Sequence, residues 1–442
     1  MRVHYHSFGC KANQYDTERM RQETEARGTT TVPSRRDADV VVVNTCTVTN
    51  QADADARRFI RRLHREQPEV RIVVAGCSAA LRADEYRDMP GVAEVIPGHD
   101  PVQVASGVAV SSAQRGAALS QIELRASLDR IDSEPIGGEL LRRRAGMSRG
   151  WLKVQDGCDR KCSFCATRLA RGSSRSRSPA EVIAEARLLA ETHAELVVTG
   201  IHIGHYGRDL EPGWTLARLC ASLIEAVPDV RFRLGSVEAT EVDDPLLELM
   251  AASMDRLAPH LHMPLQSGAD PVLRAMRRWH TREQYRVRAL QIAGKIEPLG
   301  LGADVITGFP GETEADHEAT RALVEELPFT YLHVFPYSPR QGTAAAGLPH
   351  PVPQRISGER ARELRELAQA KGVAYRRGRS GQRAVVVLEG DGGSGLTEDY
   401  LRVRVGRNGG TVPGGAVLHG TLLGDGEHLY IDPPPSSSRI RA

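Results

Sequence analysis

Over roughly the first hundred residues, short apolar runs alternate with longer stretches in which apolar positions recur every three or four residues, the pattern of strands alternating with helices. Arg2 to Ser7 alternates as a strand does, Asn13 to Arg27 reads as a helix, Asp39 to Val43 as a buried strand, and Asn50 to Glu66 as a helix with Arg57, Arg58, Arg61, Arg62 and Arg65 on its exposed side. A strand over Arg71 to Ala75, a helix across Ala79 to Asp88 and a short strand near Val95 complete the series. Strands spaced by helices in this way pair in parallel. Val104 to Leu140, rich in Ala, Ser and Gly and weakly periodic, reads as a linker holding one strand and one short helix.

From Gly150 the alternation resumes. Strands are predicted at Trp151 to Val154, Leu196 to Thr199, Arg231 to Gly235, His260 to Pro264, Gly302 to Ile306 and Tyr331 to Phe335. Between them run helices at Ala180 to Glu191, Thr215 to Val227, Pro245 to Ser253, through Leu273, Arg282 to Leu299 and Thr313 to Leu327. About six such pairs suit a partial or complete parallel barrel, whose strand-end loops form the working face. Gln354 to Arg379 is one long helix, and Ala384 to Leu388, Tyr400 to Val405, Thr411 to Leu418 and Leu429 to Ile431 are short strands without helices, a small β-barrel. The Gly-rich run at 390–395 lacks the Lys and helix of a phosphate loop and reads as a turn. The fold class is thus α/β: an N-terminal parallel α/β domain over 1–105, a linker over 106–143, a (βα) barrel core over 144–375 and a small C-terminal β-barrel over 378–440.

The length of 442 residues fits two or three domains, and 40% hydrophobic with 26% charged residues is the balance of a globular chain. No apolar run is long enough to span a bilayer and Met1 to Gly9 is not a signal peptide, so the cytoplasm, where thiols stay reduced, is the expected compartment. The net charge of +2 conceals an uneven distribution. Between Arg142 and Arg177 eleven Lys and Arg face only Asp156 and Asp159, a net of +9, and the helix Gln354 to Arg379 carries a net of +5. Such density is an electrostatic footprint for a polyanion, with a plain solvated face as the alternative.

Six of the seven cysteines carry the chemistry. Cys158, Cys162 and Cys165 lie in one short loop after a strand, at a spacing that ligates three irons of a 4Fe-4S cube and leaves the fourth iron open. A closed zinc site would want a fourth ligand nearby, and a disulfide would strand one thiol. Cys10, Cys46 and Cys77 each follow a predicted strand of the N-terminal sheet; in a parallel sheet those ends share one mouth, where three thiolates can converge on a second cluster. Cys220, within a helix, reads as packing. Segments past later strands, at Gly200, Ser236, Glu238, Gln266 and Asp304, put glycine or polar groups where a ribose or amino group could be bound, although each alone could be a turn or cap. His260 and His262 read as satisfied polar residues.

The three cysteines of the core loop, with Phe164 before the last, resemble the signature of radical S-adenosylmethionine (SAM) enzymes. That resemblance implies that the open iron binds SAM and that its cleavage gives a 5'-deoxyadenosyl radical. Together with the N-terminal cysteine triad and the terminal barrel, which looks like a TRAM domain, the chain resembles the methylthiotransferase family over nearly its whole length. The segments 9–18, 199–210 and 333–340 look most like its MtaB-type branch, which acts on threonylcarbamoyladenosine beside the tRNA anticodon. The resemblance implies two 4Fe-4S clusters, an auxiliary one on Cys10, Cys46 and Cys77 and a SAM-cleaving one on Cys158, Cys162 and Cys165. One SAM donates a methyl group to sulfur, and a second yields the radical that activates carbon 2 of the adenine. Phe164, Gly200, Ser236, Glu238, Gln266 and Asp304 are the candidate SAM contacts; the partners implied are tRNA and an electron donor such as flavodoxin or ferredoxin. The sequence does not set the oligomeric state, and a monomer is the expectation.

Two departures stand out. Ala166-Thr167-Arg168 replaces the Ile-Ile-Pro usual in the family, and the barrel from Arg383 to Asp432 carries a net of −3, a poor phosphate binder by itself. The alternatives are a sister enzyme acting on isopentenyladenosine in tRNA or on a ribosomal-protein aspartate and, from another class, a non-catalytic iron-sulfur RNA-binding protein.

Overall fold

The computed structural model describes residues 1–109, 140–144, 146–406 and 414–432. They form two compact units, one of residues 1–141, 155–177 and 338–343, the other of 142–154, 178–337 and the chain from 344 onward. The cysteine loop after the first core strand and residues 338–343 group with the N-terminal sheet, and the terminal barrel groups with the core. Most of the expected linker, 110–139, lies outside the described residues.

The first unit is built on strands β1 (Arg2–Ser7), β2 (Thr30–Thr31), β3 (Val40–Thr45), β4 (Arg71–Gly76) and β5 (Val92–Val95), all parallel in the order β2-β1-β3-β4-β5. Alternate side chains leave a strand on opposite faces. Val41, Val43, Ile72 and Val74 therefore pack on one side against Phe59, Ile60 and Leu63 of α2 (Asn50–Glu66), while Val40, Val42 and Val73 pack on the other with Met20 of α1 (Lys11–Ala26) and Val104 and Val108 of α5 (Pro101–Ala109). The single helix expected across Ala79 to Asp88 is two, α3 (Cys77–Leu81) and α4 (Ala83–Arg87), broken at Arg82. The cysteine loop joins this unit through a two-stranded ribbon, β7 (Gln155–Asp156) against β8 (Arg175–Ser176), and is followed by α6 (Thr167–Arg171).

The second unit holds β6 (Arg149–Lys153), β9 (Glu195–Thr199), β10 (Arg231–Leu234), β11 (His260–His262), β12 (Gly300–Thr307) and β13 (Tyr331–Pro336). They run parallel in chain order, with the Ser236 and His262 bridge joining the halves. Among the described residues no pairing returns β13 to β6, so the barrel is partial. The helix Gln354–Arg379 then leads to a closed barrel, β14 (Arg383–Glu389), β15 (Ser394–Thr397), β16 (Arg402–Val405), β17 (Val417–Gly424) and β18 (Leu429–Asp432). Part of the run read as a turn at 390–395 belongs to β15, whose Gly395 lies so close to Val386 that a Cβ would meet it at 2.4 Å.

Candidate active site

Cys10, Cys46 and Cys77 follow β1, β3 and β4, adjacent parallel strands, so their loops open at one edge of the sheet. Two glycines permit the approach. Gly9 has φ +92° and a Cβ there would meet Cys46 Sγ at 2.3 Å; Gly76 has φ +98° and is pressed against Asn44 and Thr45. Asn13 ties the loops together: its Nδ2 donates to the carbonyls of Phe8 (2.7 Å) and Thr45 (3.1 Å), and Asn44 Nδ2 donates back to its own carbonyl at 2.8 Å. Burial pushes the Cys46 thiol up to about 11, with Cys10 raising it further. Burial likewise pushes Cys77 up to about 12; nearby Arg171 opposes that rise, and Cys46 and Cys10 add to it. Buried thiols pushed up this far are stable as thiolates only when a cationic group joins them, so Cys46 and Cys77, with Cys10 beside them, fit as donors to an iron-sulfur cluster.

The second triad sits on the ribbon-based loop. Gly157 has φ +68° and a Cβ would lie 1.8 Å from the carbonyl of Ser173, so only glycine turns the chain there. The Cys158 amide donates to the Gly172 carbonyl (3.1 Å) and the Cys165 amide to that of Cys162 (3.2 Å), which closes the loop on itself. Burial pushes Cys158 up to about 12, with Cys165 and Cys162 adding to the rise, so this set passes the same test. Thr167, one of the departures from the family pattern, places its hydroxyl 3.1 Å and its amide 3.4 Å from Cys165 Sγ. Phe164 is half-buried beside them.

Arg171, at the end of α6, had no sequence signal beyond its place in a basic run. It is fully buried and every nitrogen of its guanidinium is engaged: Nε to Cys77 Sγ at 3.1 Å, Nη1 to Asp156 Oδ1 and Oδ2 at 3.0 and 3.2 Å, Nη2 to Asn13 Oδ1 at 3.1 Å and Asp16 Oδ2 at 2.8 Å. Arg177, also buried, donates to the Tyr15 hydroxyl at 3.2 Å. Lys153 is buried and Arg149 pairs with Glu389, so the basic run is in good part internal scaffolding rather than a continuous surface footprint.

In the second unit the expected SAM contacts lie at the carboxyl ends of the core strands: Gly200 after β9, Ser236 and Glu238 after β10, Gln266 after β11 and Asp304 within β12. The structure gathers Ser236, Gln266 and Asp304 around the β11 and β12 pairing. Ser236 bridges to His262, and the Gln266 amide donates to the Asp304 carbonyl at 2.8 Å with Gln266 itself at φ 67°. Burial alone would raise the Asp304 carboxyl, but hydrogen bonds from His262 (3.1 Å) and His333 (3.3 Å) hold it well below the usual carboxylate range. His262 is fixed in turn by the Tyr331 hydroxyl at 3.1 Å, which also meets His260 Nε2 at 2.8 Å, so both histidines are satisfied polar residues. Glu238 forms a buried ion pair with Arg278. Glu241, unmarked by sequence, has His202 Nε2 at 2.7 Å and His205 Nε2 at 3.1 Å. The two rings stack at 3.8 Å with 22° between their planes, and the ligand atoms of the three residues all lie within 4.8 Å of one another. Glu312 accepts from the Gly308 amide and from Arg360 at 2.8 Å and is structural. Cys220 is buried in the core, as packing requires.

Comparison with known proteins agrees with this anatomy. Residues 2–98 match the uncharacterized protein family UPF0004 and residues 152–324 match the radical SAM superfamily. The fold is also that of a solved structure of TsrM, a radical SAM methyltransferase from Kitasatospora setae with cobalamin and a 4Fe-4S cluster bound, at a TM-score of 0.58 and 16% identity over 83% of this chain and 84% of that one. The chain is thus a radical SAM protein, and that superfamily draws on SAM and a 4Fe-4S cluster. It is 36% identical to the threonylcarbamoyladenosine tRNA methylthiotransferase MtaB of Bacillus subtilis (strain 168) over 84% of this chain and 81% of that protein, and 34% identical to the protein of the same name from Rickettsia prowazekii (strain Madrid E) over 90% of each. A tRNA-2-methylthio-N(6)-dimethylallyladenosine synthase from Parafrankia sp. (strain EAN1pec) is 34% identical over 87% of this chain and 78% of that protein. The chain belongs to the radical SAM tRNA methylthiotransferase family. Among the described residues no helix is long and apolar enough to cross a membrane.

Proposed function

We propose that this chain adds a methylthio group to carbon 2 of threonylcarbamoyladenosine beside the anticodon of tRNA. Cys158, Cys162 and Cys165 hold the cluster that works with SAM, and Cys10, Cys46 and Cys77 hold a second 4Fe-4S cluster. When bound, these groups supply the radical and the site for sulfur. The protein's own part is to orient and in part to insulate: Gly9, Gly76 and Gly157 let the thiols converge, Asn13 and Arg171 brace their loops, and burial shields Cys46 and Cys77 while Cys10 stays exposed. Gly200, Ser236, Glu238, Gln266, Asp304 and Phe164 are the residues we assign to SAM, with Asp304 kept ionised by two imidazoles so that it can accept from an amino or hydroxyl group. The terminal barrel, TRAM-like in its strand pattern, and the basic helices contribute to holding tRNA, and a small reductase such as flavodoxin or ferredoxin supplies electrons.

The observation that supports this reading is that two cysteine triads, each gathered by glycine turns, fall within one compact unit. The test is mass spectrometry of tRNA nucleosides from cells with and without the gene. Loss of 2-methylthio-threonylcarbamoyladenosine alone, restored by the intact gene but not by Cys158→Ala or Cys46→Ala, is the expected result. Loss of the methylthio group from the dimethylallyl nucleoside instead would move the chain to the substrate named for the Parafrankia relative.

A further inference from the structure

Arg171 lies between the two cysteine sets and touches both of their supports. Its Nε donates to the sulfur of Cys77, while Nη1 grips Asp156, two residues before Cys158, and Nη2 grips Asn13 and Asp16 of α1. A guanidinium that only needed neutralising would be served by either carboxylate; here the fork is aimed so that one N–H reaches a sulfur. Arg171, Asp16, Asp156, Asn13 and Cys77 are all buried, so little solvent screens the charges from one another or from whatever the sulfur binds.

We propose that Arg171 is a positioning residue that locks the two cysteine loops in register and sets the reduction potential of the cluster held by Cys10, Cys46 and Cys77. The inference rests on reading those three cysteines as cluster ligands. An N–H donated to a ligand sulfur, and a positive charge beside it, both favour the more negatively charged reduced state and raise the potential. Asp16 has the opposite sign and its removal works the other way. A purely structural role predicts no such pair of opposed shifts.

The experiment uses the full-length chain with Cys158, Cys162 and Cys165 all changed to Ala, so that a single reconstituted cluster remains to be counted by iron content and titrated reductively. Arg171→Gln is expected to raise the ratio of oxidised to reduced cluster about tenfold at a fixed potential, a fall of about 59 mV for one electron. Arg171→Lys keeps the charge and shifts less; Asp16→Asn shifts the ratio in the reverse direction. Equal potentials in the parent, Arg171→Gln and Asp16→Asn overturn the inference. Should Arg171→Gln hold no iron, Asp16→Asn decides: a raised potential supports the inference and an unchanged one overturns it. A parent chain that binds no iron sinks the cluster reading itself, and this inference with it.

Discussion

Glu195, the first residue of β9, is fully buried with Arg231 at 2.7 Å, Arg233 at 2.8 Å and Arg149 at 3.8 Å. Burial alone would raise its carboxyl, but Arg233 and then Arg231 outweigh that and hold it well below the usual carboxylate range. Its contribution to stability is therefore complete above the unfolded value of about 4.3 and is lost as pH falls towards the lower folded value. Glu195→Gln leaves two buried guanidiniums without their anion and is expected to cost about 3–5 kcal/mol in chemical denaturation at neutral pH. The loss should shrink below about pH 4, where the unfolded wild-type chain takes up a proton at this carboxyl and the wild type loses stability. A variant as stable as wild type at pH 7 would mean that the backbone carbonyls around the arginines suffice. Sequence reading missed this residue, and Arg171, for the same reason: a charged residue gives no periodic signal, and partners such as Arg171 and Asp16 lie far apart in the chain. The cysteines could be singled out in the sequence because short spacing and strand ends mark them.

At the scale of elements, legibility followed capping. The helix Asn50–Glu66 was read to the residue because Thr49 caps it and accepts from the Ala52 amide, and its apolar stripe is clear. The helix Pro101–Ala109 went partly unread because its small, uncharged residues show no polar face. On α2, Arg58, Arg61, Arg62 and Arg65 remain towards solvent and line, with His6 and Phe8, a cavity of about 570 Å³. By contrast many cations of the helix Gln354–Arg379 are spent internally, Arg360 on Glu312, Arg379 on Asp399 and Arg376 on the Gly426 carbonyl. We therefore expect α2 to carry more of the phosphate contact than that longer helix does. Changing Arg58, Arg61, Arg62 and Arg65 together to Ala should weaken tRNA binding and reduce the slope of log Kd against log salt by about 3 if each meets one phosphate. Measured over a range of salt, an unchanged slope would place the tRNA elsewhere.

For the molecule as a whole, the terminal barrel's acidic balance has a structural use within the second unit. Arg231 donates to the Val385 carbonyl at 2.9 Å, Arg233 to those of Thr397 at 2.8 Å and Glu398 at 2.9 Å, and Arg149 pairs with Glu389 at 2.8 Å. His260 stacks on Tyr400 at 4.2 Å, and Gly300 is so close to Asp399 that a Cβ would meet its carbonyl at 2.1 Å. All these core residues stand at or near the amino ends of their strands, the end opposite to the Ser236, Gln266 and Asp304 cluster, so the barrel closes the foot of the core. Its carboxylates answer core and helix arginines, which is why the net charge of the barrel taken alone misleads. A barrel that serves only to recruit RNA could be removed without harm to the core; one that satisfies buried guanidiniums could not, since each hydrogen bond to a charged group is worth about 1.5–3 kcal/mol. A chain ended after Gly381 is therefore expected to melt well below the full-length protein or to precipitate, whereas the surface pair Arg402→Ala and Arg404→Ala should leave the melting temperature close to wild type. If the shortened chain keeps the full-length Tm, the barrel is a detachable RNA module and the arginines of β10 are satisfied by Glu195 alone.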